Sequence, residues 1–392
     1  MNDRYRLAPT GQEGHGNGMK LVFSGASIFD GLRLHENCAL TVENGSVTGI
    51  GPVPPTPDVV LPGGILTPAF VDLQVNGGGG IMVDGEADAG RLAAICASHI
   101  LQGCAGVLPS LITDTPAATR HVIDAAIAAA QANVPGFLGL HLEGPHLDPR
   151  RAGAHDAALI RPMAAEDLEI LCDAAGRLPV LMVTLAPEAV SPGQITALTR
   201  AGVLVSLGHS ECSMAEARAA IAAGAACATH LFNTMGPMTG REPGLAGALL
   251  DSALPAGLIA DGLHVAPAML RIAMAARPDG LFLVSAATCF AGTDLSEFTM
   301  GGRRAERHAG RISLPDGTLA GSDLRLDRAI SVMVRHAGIA PERALAMATS
   351  VPAALIGVGH RLGHLKPGRR ADMVHLDKDL ALSGIWWGGM AL

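Results

Sequence analysis

Glu143 in "HLEGPH", His209 in "GHS" and His230 in "THLFNTM" are far apart in the chain, yet each follows a short apolar run. One carboxylate and two imidazoles form the donor set of a zinc-type catalytic centre, which takes three protein ligands and keeps a position for water. An ion held there lowers the pKa of water towards about 7 and supplies a nucleophile at neutral pH. No local motif joins the three, so only a fold that gathers strand ends makes them neighbours. Singly, each histidine is read more simply as a hydrogen-bonded core or surface residue; together at strand ends they favour the ion. Gln74 and Asn76, His141, and Asp261 with His264 follow apolar runs in the same way. Gln74 and Asn76, two apart on a strand, point the same way. Amides are poor metal ligands, so this pair argues against a second ion, and strand-end hydrogen bonding explains it equally well. Arg241 in "MTGREPGLAG" and His264 in "ADGLHV" are the candidates for holding an anion. A guanidinium fork suits phosphate, although the stretch around Arg241 alone reads better as an ordinary surface arginine.

The elements that would position these residues are legible as a repetition. From residue 66 onward, apolar runs such as "AFVDLQVNG", "AGVLPSLIT", "GFLGLHLEG" and "VLVSLGHS" alternate with Ala-rich helical stretches, with Gly or Pro at most junctions. Eight strand candidates precede residue 290, which predicts an α/β fold: a (β/α)8 TIM-like barrel, whose active sites form at the C-terminal ends of the strands. Residues 19–66 and 366–392 are instead rich in short β-like pieces separated by turn residues. The expectation is a small β-sandwich domain built from both chain termini beside a barrel of residues 67–365. Residues 1–18 are polar and Gly-rich and read as a disordered extension, with patterned sequence starting at Met19. The composition of 49% hydrophobic but only 3% aromatic residues suits a core of Ala, Val, Leu and Ile. A net charge of −8 without a basic run argues against nucleic acid as a partner. No apolar run is long enough for a membrane helix. Seven scattered cysteines without a CxxC pair predict a reduced, cytoplasmic setting.

Taken in order, "LTPAFVDLQVNGGGG", "HLEGPHL", "RAGAHDAALIRP", "SLGHS", "THLFNTMGPMTGREPGLAG", "IADGLHV", "DGTLAGSDL" and "LKPGRRADMVHLD" resemble the N-acetylglucosamine-6-phosphate deacetylases of the amidohydrolase superfamily. The resemblance runs from about residue 19 to the C-terminus. It implies that Glu143, His209 and His230 are the metal ligands and that His155 helps hold and polarise the acetyl carbonyl. It implies that Asn233, the backbone at Thr234, Arg241 and His264 contact the sugar phosphate, that Ala154 is a further substrate-binding residue, and that Leu319 lines the acyl side. Gln74 and Asn76 match the single-metal branch. One divalent metal is implied, zinc first, with iron or cobalt also compatible. The implied substrate is an N-acetylated amino-sugar phosphate, and the implied assembly a homodimer. The galacto sugar is the alternative to the gluco one, and a non-catalytic amino-sugar-phosphate binding protein the alternative from another class.

One departure stands out in "LFLVSAATCFAG". The family ends its eighth strand with an aspartate that takes a proton from the attacking water and returns one to the departing amine. Here Ala286 occupies that position. Since general acid–base help is worth about 10² to 10⁴ in rate, the expectation is a chain that binds metal and substrate but turns over poorly. The other matched positions are unspoiled, which favours an engineered substitution over a natural member that lost or relocated its acid. Asp294 and Asp323 are the nearest downstream carboxylates, and neither sits at a strand tip.

Overall fold

The computed structural model describes residues 19–300 and 303–392; the expectation for residues 1–18 lies outside the described residues. Eight parallel strands follow one another around a sheet: β1 (Phe70–Val75), β2 (Cys104–Ile112), β3 (Leu140–Glu143), β4 (Leu181–Leu185), β5 (Leu204–Leu207), β6 (Cys227–Ala228), β7 (Ala256–Leu258) and β8 (Leu281–Leu283). Just past β8 the chain pairs with β1, where Ala286 N–H donates to Gln74 O at 3.0 Å and Asn76 N–H to Ala287 O at 2.7 Å. Asp72 reinforces this seam by accepting the Ser285 N–H on both carboxylate oxygens at 3.2 Å. The ring is thereby closed, as the eight alternating runs predict.

Helices α1 (Ala89–Ile100), α2 (Pro116–Gln131), α3 (Ala165–Ala175), α4 (Pro192–Arg200), α5 (Met214–Ala222), α6 (Gly244–Leu250), α7 (Pro267–Ala276) and α8 (Leu326–Arg335) surround it. Their starts are written in the sequence. Thr115, Ser191 and Ser213 accept the first free N–H groups of α2, α4 and α5, and Gln194 and Glu216 complete capping boxes. The barrel strands are buried on both faces, so they read as continuous apolar runs rather than alternations.

Both ends of the chain build the second layer. Strands Lys20–Ser24, Cys38–Glu43, Ser46–Pro52 and Val59–Val60 form one sheet. Ser27–Phe29, Leu34–His35 and Ile65–Pro68 join Met373–Leu376, Leu382–Trp387 and Met390–Ala391 in another. Phe23, Leu40, Ile28, Leu66 and Met373 pack between the two, giving the expected terminal sandwich.

A four-stranded antiparallel sheet (Glu297–Met300, Arg303–His308, Arg311–Ser313, Leu319–Ser322) is inserted between β8 and α8. Its inner face sets Ala305, Ile312, Leu314 and Ala320 on Cys289, Phe290 and Met82. Ser322 N–H donates to Ala286 O at 3.0 Å, so the sheet is anchored to the barrel at Ala286 itself.

His99 on α1 tests how this packing responds to acid. Its ring is buried and Nε2–H donates to Gly77 O at 2.9 Å. Burial disfavours the charged ring and pushes its pKa down from 6.5 to about 4, against the opposing pull of the Gly77 carbonyl. The unfolded chain therefore takes up a proton at a higher pH than the folded one. Stability from this residue is complete above pH 6.5 and is lost as the pH falls to about 4, a change on the order of 3 kcal/mol. In urea titrations at pH 7 and pH 4.5, H99Q should show a smaller loss between the two conditions than the parent chain. An unchanged loss would remove His99 from the account.

Candidate metal centre and substrate cavity

The strand ends converge on a cavity of about 280 Å³ at the barrel mouth. Gln74 and Asn76 enter from β1, Glu143 from the tip of β3, and Ala154 and His155 from the loop that follows. His209, then His230 with Asn233 and Thr234, and His264 come from the loops after β5, β6 and β7. Ala286 lies past β8, and Leu319 descends from the inserted sheet. The backbone is strained where it aims these groups: φ is +49° at His209, +27° at His230, +49° at Thr234 and +50° at Ala286. Such values cost a non-glycine residue about 1–3 kcal/mol and cluster at functional sites.

At the centre lies one oxygen, Glu143 Oε1. His209 Nε2 is 3.2 Å from it and His230 Nε2 2.9 Å, while Gln74 Nε2 donates to it at 2.9 Å. His209 Nδ1–H donates to Arg151 O at 2.8 Å, so in the neutral ring Nε2 presents a lone pair. That lone pair faces a carboxylate oxygen, an arrangement that needs a proton or a cation between the two acceptors. Separations of about 3 Å are also what neighbouring ligands span when each is about 2.0–2.2 Å from one ion. The donor set thus fits a divalent metal. Burial works to raise the Glu143 carboxyl, but hydrogen bonding and charge from His209 and His230 outweigh it and hold the group well below the ordinary carboxylate value.

On distance alone, His155 competes for the third ligand place. Glu143, His155 and His209 present ligand atoms within 4.8 Å of one another, with His155 Nε2 3.8 Å from Glu143 Oε2. The tautomer separates the roles. Thr113 N–H donates to His155 Nδ1 at 3.1 Å, and burial pushes the ring's pKa down to about 3, so the ring is neutral and Nε2 carries the proton. A protonated Nε2 is a hydrogen-bond donor, not a ligand. Thr113 was not among the residues singled out in the sequence; it meets His155 Nδ1 through its backbone N–H at 3.1 Å and through its hydroxyl at 2.8 Å. Arg151 escapes notice likewise, because it acts on His209 through its carbonyl.

Three buried polar atoms of the cavity wall, Asn76 Nδ2, His230 Nδ1 and Thr288 Oγ1, have no partner among the described residues, the pattern of a wall that meets a polar ligand or water. Asp261 Oδ2 accepts from His264 Nδ1 at 2.6 Å and leaves Nε2 as the ring's free position. Burial would raise the Asp261 carboxyl, but the bond to His264 and the facing charge bring it below its ordinary value.

Other candidates lie elsewhere. Arg241 is exposed on the loop before α6 and is not part of the cavity wall. His141 lies one strand repeat below Glu143, bonded to Ser110 at 2.9 Å and Thr184 at 2.7 Å inside the barrel. Asp294 and Asp323 line a separate cleft of about 760 Å³, with Asp323 paired to Arg307 at 3.3 Å. Neither borders the cavity at the barrel mouth.

Residues 65–387 match the Amidohydrolase family. The chain is 34% identical to an N-acetylgalactosamine-6-phosphate deacetylase of Shewanella sp. over 95% of its length and 96% of that protein. It is 38% identical to the human N-acetylglucosamine-6-phosphate deacetylase, covering 83% of each chain. Among solved structures it resembles an Asp→Ala mutant of the N-acetyl-D-glucosamine-6-phosphate deacetylase of Mycobacterium smegmatis in complex with N-acetyl-D-glucosamine-6-phosphate. There the TM-score is 0.87 at 31% identity, over 95% of this chain and 99% of that one.

Proposed function

The chain belongs to the amidohydrolase family, and from that premise we propose that its site is built to deacetylate N-acetyl-D-glucosamine 6-phosphate to D-glucosamine 6-phosphate and acetate. The observation that carries this reading is the single carboxylate oxygen of Glu143 shared by the Nε2 atoms of His209 and His230 at the cavity floor. A divalent ion, zinc first and iron or cobalt next, would be held by Glu143, His209 and His230 and would supply Lewis acidity and an acidified water.

The chain's own groups do the rest. Gln74 fixes the Glu143 carboxylate by donating to it. His155 Nε2–H, pinned by Thr113, donates to the acetyl oxygen as negative charge develops there. Asn233, the Thr234 backbone and His264, held by Asp261, receive the sugar phosphate. Leu319 bounds the acyl group. Ala286 leaves the proton-transfer position without a carboxylate, so the chain binds substrate and turns it over slowly. Arg241, being exposed, would serve the phosphate only if its loop is carried towards a cavity mouth. We also propose a homodimer; Met238 and Leu263, exposed at 48% and 49% on the loops that carry Arg241 and His264, support it. No helix among the described residues is long and apolar enough to cross a membrane, in keeping with the cytoplasmic location we propose.

The galacto substrate is the second reading, favoured by the Shewanella relative's near full-length match. Calorimetric titration of the zinc-supplied chain with N-acetylglucosamine 6-phosphate, its galacto epimer and unphosphorylated N-acetylglucosamine tests the proposal. The gluco phosphate should bind, with the plain sugar about tenfold weaker or more, the size of a lost charged hydrogen bond. Tighter binding of the galacto epimer would move the assignment to it. No binding of either phosphate would defeat the reading.

A further inference from the structure

Resting on that reading of the site, the geometry points to a wider acyl range than acetyl. The substrate cavity of about 280 Å³ shares Ile112, Gly153, Ala154, His155 and Ala320 with an adjoining hollow of about 610 Å³. The shared wall is on the acyl side. It contains His155, whose Nε2–H is the donor for the acyl oxygen, and Ala320, which follows Leu319. The join is made of Ile112, the ring of His155, one glycine and two alanines, so three of its five residues present no more than a methyl group to an acyl chain. Beyond it the hollow has a buried apolar side of Met82, Val83, Leu111 and Leu314 and a polar, more exposed side of Asp84, Asp114, Asp156, Thr299 and Arg303, so an acyl chain would lie against the apolar side.

We propose that the site takes neutral N-acyl chains longer than acetyl, up to about butyryl, with the added methylenes entering this hollow. The bond chemistry is that of the acetyl substrate. One water is consumed, a C–O bond forms at the acyl carbon, the C–N bond breaks, and the amine leaves with a proton from that water while the acyl group departs as its carboxylic acid.

The unaltered chain, supplied with zinc chloride, is titrated with N-acetyl- and N-butyryl-glucosamine 6-phosphate. Each fully buried methylene tightens binding about fourfold, so with two added methylenes the butyryl compound should bind up to about sixteenfold tighter and no weaker than the acetyl one. Butyryl binding weaker than acetyl overturns the inference and leaves the deacetylase reading intact, whereas failure of both compounds defeats that reading and the inference with it. L314W projects bulk into the hollow from a residue outside the substrate cavity. It should weaken the butyryl compound at least about tenfold and change acetyl binding less than twofold. Loss of neither would exclude the hollow as the acyl site. Should L314W fail to fold, the two titrations of the unaltered chain decide alone.

Discussion

A286D should raise kcat for acetate release from N-acetylglucosamine 6-phosphate by about 10² to 10⁴ at saturating zinc, with KM little changed. Ala286 lines the cavity and is 4% exposed, so a carboxylate built there is shielded from bulk solvent within the wall that would hold the substrate. Its backbone is already suited to the change. Ala286 has φ +50°, a region in which Asp and Asn are several-fold enriched and alanine is not. Both main-chain groups of Ala286 are bonded, to Gln74 and Ser322, so the position holds its direction when the side chain changes.

The same substitution carries a second signature. It adds a carboxyl group to a cavity that already holds the ionised Glu143. Like charges so placed destabilise the metal-free protein and are relieved by a cation. The rise in Tm on adding zinc should therefore be larger for A286D than for the parent. A gain of less than tenfold in kcat, with zinc bound, would show that proton transfer is not what the parent lacks.

What the sequence disclosed follows the periodicity of burial. Barrel strands buried on both faces give apolar runs, and capped amphipathic helices punctuate them, so eight units and their convergent ends are visible before any coordinates. The sandwich is visible for another reason: "ENGS" places Asn44 and Gly45, with φ of +51° and +75°, where a tight hairpin needs them. The inserted sheet is not visible. Its strand Arg303–His308 buries only Ala305 fully, and a charged ribbon lying on one small apolar cluster has no strong pattern. The site residues at strand tips were readable because geometry follows from the barrel. The place of Arg241 was not, because it lies on a loop whose path no periodicity governs. The role of His155 was supplied by resemblance; its protonation state depends on Thr113, whose amide and hydroxyl both meet Nδ1 from a strand end 42 residues away that no sequence spacing links to it.

That protonation state makes a sharp pair of variants. E143Q keeps the shape of the side chain but removes the charge that binds both imidazole edges to one point. It should lower zinc affinity by more than about 100-fold, beyond what the loss of an outer partner costs. H155Q should leave one zinc per chain, because Nε2 of His155 carries a proton and donates. Placed in the A286D background, H155Q should lower kcat by about 10² to 10³, the cost of an oxyanion donor, with the metal retained. H230A completes the test, since Glu143 Oε1 lies 2.9 Å from His230 Nε2 and this ring is assigned the third ligand place. If metal analysis finds zinc kept in H230A and lost in H155Q, the assignments are reversed. The Thr113 bond would then have to break when the ion enters, because His155 can coordinate through Nε2 only after its proton has moved to Nδ1.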